Sequence, residues 1–206
     1  STGSGAASTP NANFDATHGA DRLRVFNGVL DVEPQAVSSS PAGFGVEIPL
    51  QRMFEYNPSD GPLVVDIRIT AGNGTAGTSF DGAFNTGEDI GRLFSSNPNA
   101  TSASPQNFAL VMCVVSEPCP TLPEVNDSSF GSASGFPWNS AGPQRAMYAY
   151  DSNSIATTKP QFIQHLRWRP NPSATSIGPV TYDVRVDLST SGLSSASALT
   201  TNFSGN

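Results

Sequence analysis

An all-β fold, an antiparallel β-sandwich or jelly roll with long loops and extended terminal arms, is predicted by three features of this sequence. Apolar residues recur at every second position in several separate stretches. Gly, Pro, Asn and Ser gather between those stretches, and almost nothing carries a helical period. Seven or eight strands follow, arranged as a polar N-terminal arm over 1–20, one domain over 21–198 and a C-terminal segment over 199–206.

The stretch over 53–70 is the least ambiguous. Asn57, Pro58, Ser59, Asp60, Gly61 and Pro62 crowd six turn-forming residues together, so the chain must bend there. Beyond the bend, Leu63, Val65, Ile67 and Ile69 alternate with Val64, Asp66 and Arg68, which is the two-residue period of a half-buried strand. Upstream, residues 22–32 read as a strand interrupted at Asn27-Gly28, by either a tight turn or a bulge. Residues 45–51 alternate as well, and Pro49, which has no N–H for a ladder, places that strand at an edge or beside a bulge.

Downstream, Gly72, Gly74 and Gly77 follow a strand as in a dinucleotide-binding loop, but no helical period continues from them, and a loop between strands explains them. Residues 88–94 suit a short helical turn. Residues 108–115, FALVMCVV, form a continuous apolar run expected as a central strand covered on both faces. The Pro-, Gly- and Ser-rich connection over 118–143 carries Phe130, Phe136 and Trp138, which either fold it onto the core or present a recognition surface. Three more strands follow. Residues 145–150 alternate; 161–169 set Phe162, Gln164, Leu166 and Trp168 against Ile163, His165, Arg167 and Arg169; and 181–188 point Tyr182, Val184, Val186 and Leu188 inward with Asp183, Arg185 and Asp187 outward.

Composition narrows the partners. With 13% charged residues, a single lysine (Lys159) and a formal charge of −7, the chain has no basic surface to condense on phosphate, so nucleic acid is not an expected partner. No apolar run reaches the length of a membrane span, and the first ten residues lack the basic and apolar regions of a signal peptide. The scarcity of Lys and the abundance of Ser, Thr, Asn and Gly suit an extracellular or cell-surface protein. In that setting Cys113 and Cys119 are expected to close a short disulfide loop, which stabilises by roughly 2 kcal/mol on the loop-entropy argument; the alternative is two reduced thiols.

No catalytic pattern stands out. His18 and His165 lie in no metal-ligand motif, there is no G-x-S-x-G elbow, and the carboxylate pairs are those any acidic sandwich offers, so neither an enzyme nor a cofactor is expected. Asp81, Asn85, Glu88 and Asp89 lie close enough in sequence to offer oxygen ligands to calcium, although without EF-hand spacing. Asn73, Asn99, Asn126 and Asn202 lie in N-x-Ser/Thr sequons.

The segment Phe54-Glu-Tyr-Asn-Pro-Ser-Asp-Gly-Pro-Leu-Val-Val-Asp-Ile-Arg68 resembles an F-x-Y-N-P-x-x-G-x-L-L-L-D-V-R segment of secreted bacterial β-sandwich proteins that carry a PEP-type sorting anchor. Asp89-Ile-Gly-Arg-Leu-Phe94, the strand over 145–150, Leu166-Arg-Trp-Arg-Pro170 and Val186-Asp-Leu-Ser-Thr-Ser191 are similar to other landmarks of that group. The resemblance supplies no catalytic residues. Its landmarks stand in a rotated order here, with the segments like 145–206 expected before those like 19–115. That order implies either a terminal segment that leaves its own sandwich and completes a neighbour, with Phe14, Leu199 and Phe203 as contacts between copies, or a chain that is one unit of a tandem array. The expected function is a structural subunit of an extracellular filament or surface assembly. The alternative is a polysaccharide-binding module that stacks sugars on Phe136, Trp138 and Tyr148.

Overall fold

The computed structural model describes residues 13–37, 43–73, 79–84, 90–106, 108–114, 121–122, 132–134, 137–138, 142–152, 155, 158–174 and 176–191. They form antiparallel sheets packed against each other, the predicted all-β sandwich. After a one-turn helix α1 (Phe14–Thr17) come β1 (Leu23–Val32), β2 (Gln35–Ala36), β3 (Val46–Tyr56), β4 (Leu63–Gly72), β5 (Phe80–Phe84), β6 (Ile90–Ser95) and β7 (Pro105–Gln106). Then follow β8 (Phe108–Leu110), β9 (Met112–Val114), β10 (Thr121–Leu122), β11 (Ser132–Ser134), β12 (Gln144–Tyr150), β13 (Gln161–Trp168), β14 (Ser176–Ile177) and β15 (Val180–Thr190). Among the described residues no helix is long and apolar enough to cross a membrane.

Six strands make the larger sheet in the order β1-β15-β4-β12-β6-β7, and four make the facing sheet, β10-β9-β13-β3. The strand predicted with least ambiguity, β4, lies third in the larger sheet. Its Leu63, Val65, Ile67 and Ile69 face inward beside Val184, Val186 and Leu188 of β15 and Tyr148 and Tyr150 of β12, and meet Ile48, Phe54, Ile163, Leu166 and Trp168 from the other sheet. Removing these apolar side chains from water is the main stabilising term of the fold. Two small sheets, β11-β5-β8 and β14-β2, hold the remaining strands.

Pro49 does lie on an edge strand, and beside an irregularity. Residues 50–53 of β3 oppose only Gln164 of β13, because the register jumps between Phe54↔Ile163 and Pro49↔His165. Within that bulge Gln51 turns across to the other sheet's edge. Its carbonyl accepts from the Asn27 amide (3.1 Å) and its amide donates to the Asn27 carbonyl (3.2 Å), so one side chain satisfies an outward-facing backbone pair of β1.

Four local expectations are corrected. Asn27-Gly28 does not interrupt β1, whose bulge falls at Val25 instead, between Arg24↔Asp187 and Phe26↔Val186. Residues 90–94 belong to strand β6, not to a helical turn, since pairing with β12 outweighs a weak local preference. The run over 108–115 is fully buried where described but does not remain in one sheet. It breaks at Val111, β8 pairing with β5 and β9 with β13, so the chain passes from one sheet to another there. On β13 the alternation slips by one at the bulge: Ile163 is buried, Phe162 is exposed, and Leu166 and Trp168 are buried.

Candidate functional site: a charged socket under the N-terminal segment

The outer face of the larger sheet should be wet, yet its centre is dry. Across adjacent strands the register sets Met147, Asp66 and Asp187 in one row and Arg145, Arg68 and Arg185 in the next, with Ala149, Val64 and Ser189 below. Residues 13–22 lie over these rows. Asn13 caps α1, its side-chain oxygen accepting from the Asp15 and Ala16 amides, which turns the chain enough to aim Phe14 at the sheet. Phe14 is fully buried against Val64, Leu93, Met147 and Ala149, a second apolar cluster on the far side of the sheet from the main core. Its amide donates to the Thr101 carbonyl at 2.9 Å, and the Arg145 guanidinium lies 4.1 Å from its ring centroid.

Charge fills the rest of the socket. The Asp66 carboxylate, side chain 0% exposed, accepts from Arg145 through Nε (2.9 Å) and Nη2 (2.6 Å) and lies 3.2 Å from His18 Nε2. Asp187 accepts from Arg22, Arg24 and Arg185 at 2.7–3.2 Å. Asp15 pairs with Arg22 at 2.9 Å. Gly19 N–H donates to the Thr190 carbonyl, and the Asp21 carboxylate accepts from the Thr190 amide and hydroxyl, so the segment is also pinned where the described chain ends.

Burial pushes the Asp66 carboxyl up, but hydrogen bonds from His18 and Arg145 outweigh it and hold the pKa below the ordinary carboxylate value. Asp187 follows the same logic: burial raises it, and hydrogen bonds from Arg185 and Arg22 bring it well below. A depressed folded-state pKa gives stability that is complete above the unfolded value, about 4, and is lost as pH falls through the folded value. Amide-exchange protection at Phe14 and Gly19 should therefore stay level from about pH 8 to 5 and fall only below about pH 4. Loss of protection well above pH 5 would overturn the assignment of control to these two carboxylates.

His18 is also the middle of a Ser–His–Asp series, with Nδ1 2.7 Å from Ser189 Oγ and Nε2 facing Asp66. In the neutral ring, Nε2–H donates to the carboxylate and Nδ1 accepts from the hydroxyl. Ser189 is 0% exposed beneath the segment and Asp66 is already shared with Arg145, so the docked arrangement fixes the ring rather than offering a nucleophile to solvent.

The sequence-predicted residues are placed as follows. Phe14 does anchor its segment, but the segment over 13–20 is not an extended arm: it is folded onto its own sheet, because Phe14 and Asp15 find an apolar slot and paired cations there. Trp138 and Tyr148 are corrected as sugar-stacking residues, being 1% and 0% exposed. Trp138 packs against Trp168 and Tyr182, with ring centroids 5.0 and 5.7 Å away, and Tyr148 lies in the core. Asp81 is corrected as a calcium ligand. It is fully buried and accepts from Arg169 Nε and Asn171 Nδ2, both at 2.7 Å, so its oxygens serve a cation and an amide of its own chain. Asn73 and Asn99 are exposed. Cys113 is buried on β9. Phe136, Asn85, Glu88, Asp89, Cys119, Asn126, Leu199, Asn202 and Phe203 lie outside the described residues.

The socket itself was not anticipated. Asp66 and Arg68 on a strand destined for the middle of a sheet, and Arg145 opening an otherwise apolar strand, were the available signal, since charges there need a cover. No protein-family model matches this chain, and no curated protein or solved structure is similar to it.

Proposed function

We propose that this chain is a structural subunit of an extracellular filament or surface assembly, in which the N-terminal segment of one copy occupies the socket of the next. One observation carries the reading: a fully buried anchor, Phe14, lies on a segment outside the strand order of either sheet and connected to β1 through residues 19–22. A segment held this way can be exchanged between identical copies with every contact preserved, which is the low-cost route to a polymer. The segment also meets the far end of the described chain, His18 pairing with Ser191, so both ends converge on the face where copies would join. The compositional case for secretion and the proposed Cys113–Cys119 bridge fit that setting. Trp138 and Tyr148 are buried, so neither ring offers a face to a sugar.

Negative-stain microscopy and light scattering of the full chain test the proposal. Uniform fibres are expected from the unaltered protein, and F14D should give folded monomers with an unchanged strand signature in circular dichroism. A protein that stays monomeric at high concentration, or an F14D variant that still forms fibres, would overturn it.

A further inference from the structure

The arginines of the socket outnumber its carboxylates. Arg145, Arg68 and Arg185 stand side by side on β12, β4 and β15, and like charges at directly paired positions repel. Asp66 is taken by Arg145 and His18, and Asp187 by Arg22, Arg24 and Arg185. Arg68 is left over. Its Nη2 comes no closer than 3.6 Å to Asp66 and 3.8 Å to Asp15, and its buried Nε has no hydrogen-bond partner. Asp183, further along β15, does not serve it, because that carboxylate accepts from the Thr70 hydroxyl at 2.7 Å. Burial and the neighbouring Arg145, Arg185 and Arg22 charges, against the attraction of Asp66, bring the Arg68 pKa below its ordinary value, which marks an unbalanced cation.

The row remains open on one side: the side chains of Arg22, Arg185 and Arg24 are 26%, 28% and 48% exposed. These five arginines are half of the chain's ten basic residues, so the remainder of this −7 molecule is still more acidic than the whole. A guanidinium row on such a chain complements the chain's own surface. The opposite layer supplies a fitting donor. Glu55 on β3 is exposed and paired with Phe162 of β13, and Met53 lies two residues away; Met53 and Phe162, 59% and 53% exposed, are two of the three large apolar side chains exposed among the described residues.

We propose that the arginine row centred on Arg68 is an oxyanion site filled by a carboxylate of a second copy, that of Glu55, so that the four-stranded face of one subunit stacks on the six-stranded face of the next. A guanidinium fork binds a carboxylate through two N–H groups, and the Arg68 side chain keeps 17% of its surface open to such an approach. The two patches lie on opposite layers, so the contact is head-to-tail, and each added copy leaves one patch of each kind for the next. Apolar Met53 and Phe162 become covered in the same step. The inference rests on the assembly reading for its occupant but not on exchange of the Phe14 segment.

Sedimentation velocity of the full chain at about 20 mM and about 500 mM salt tests it, since exposed pairs are screened at the higher ionic strength. Self-association is expected at low salt and should weaken at least about tenfold at high salt. R68Q and E55R should each reproduce that loss, and combining them should add little, because both break the same contact. E55R alters an exposed edge residue and keeps the test informative if R68Q fails to fold. Association that ignores salt and both substitutions overturns this inference and leaves the assembly reading intact. Fibres lost in F14D but unchanged in E55R overturn the Glu55 contact alone, and a wild-type chain that is monomeric at low salt overturns both readings.

Discussion

Replacement of Arg145 by methionine is expected to destabilise the protein by about 3–5 kcal/mol, the cost of leaving a buried carboxylate without its cation. Arg145 gives Asp66 two hydrogen bonds, donates to the Ala100 carbonyl at 2.7 Å and stacks on Phe14, and it is 1% exposed. Methionine keeps much of the volume and none of the charge. For a chain of this size the loss corresponds to a melting temperature lower by about 10 °C. The informative control is D66N/R145M, which removes both charges and should recover much of the loss. If the double variant is as unstable as R145M alone, packing rather than charge is what Arg145 contributes.

R169M is expected to have an effect of similar size, about 3–5 kcal/mol, for the same reason at a different place. Arg169 and Asp81 are 3% and 0% exposed, and their backbones are tied together as well. Asp81 N–H donates to the Arg169 carbonyl at 2.9 Å, Val111 N–H to the Asp81 carbonyl at 2.8 Å, and Arg169 N–H to the Val111 carbonyl at 3.3 Å. This is where the apolar run passes from one sheet to another, so the ion pair braces that passage. Chemical denaturation of R169M should show the lost stability, with D81N/R169M recovering part of it. Addition of calcium should restore nothing to R169M. A calcium-dependent rise in its midpoint would return Asp81 to a metal-binding role.

The sandwich was legible because its strands are written in a period that packing does not alter. Residues 63–69 and 182–188 alternate in sequence, and the members of each run that were read as inward, from Leu63 to Ile69 and from Tyr182 to Leu188, are all buried. The misreadings share a cause: pairing partners are not local. The slip at Gln164 comes from the extra residues of β3 opposite it, and the break at Val111 from backbone partners at Asp81 and Arg169. Neither has a signal in its own neighbourhood.

The socket was half legible. Charged residues at 66, 68 and 145 announce a polar second face, but only the fold brings 15, 18 and 22 over them. The alternation over 181–188 predicts an outward, solvated Asp187, yet it is 2% exposed, because the covering segment and three arginines close over it. Aromatic residues in a long connection carry the opposite lesson. The surroundings of Trp138 in sequence favour packing onto the core over a recognition surface without excluding the second, and its packing on Trp168 decides the matter.

The glutamine that reaches from β3 to β1 bears on the form the proposed assembly would take. A bare outer ribbon of a sandwich invites any other extended chain to add on sideways, and sideways addition has no stopping point. Gln51 fills the gap at Asn27 with a group that mimics a further strand for the length of one residue, presenting one acceptor and one donor. A filament built from such units would thicken poorly along this margin and lengthen through its faces, so slender fibres, not laterally fused bundles, are the form these contacts favour.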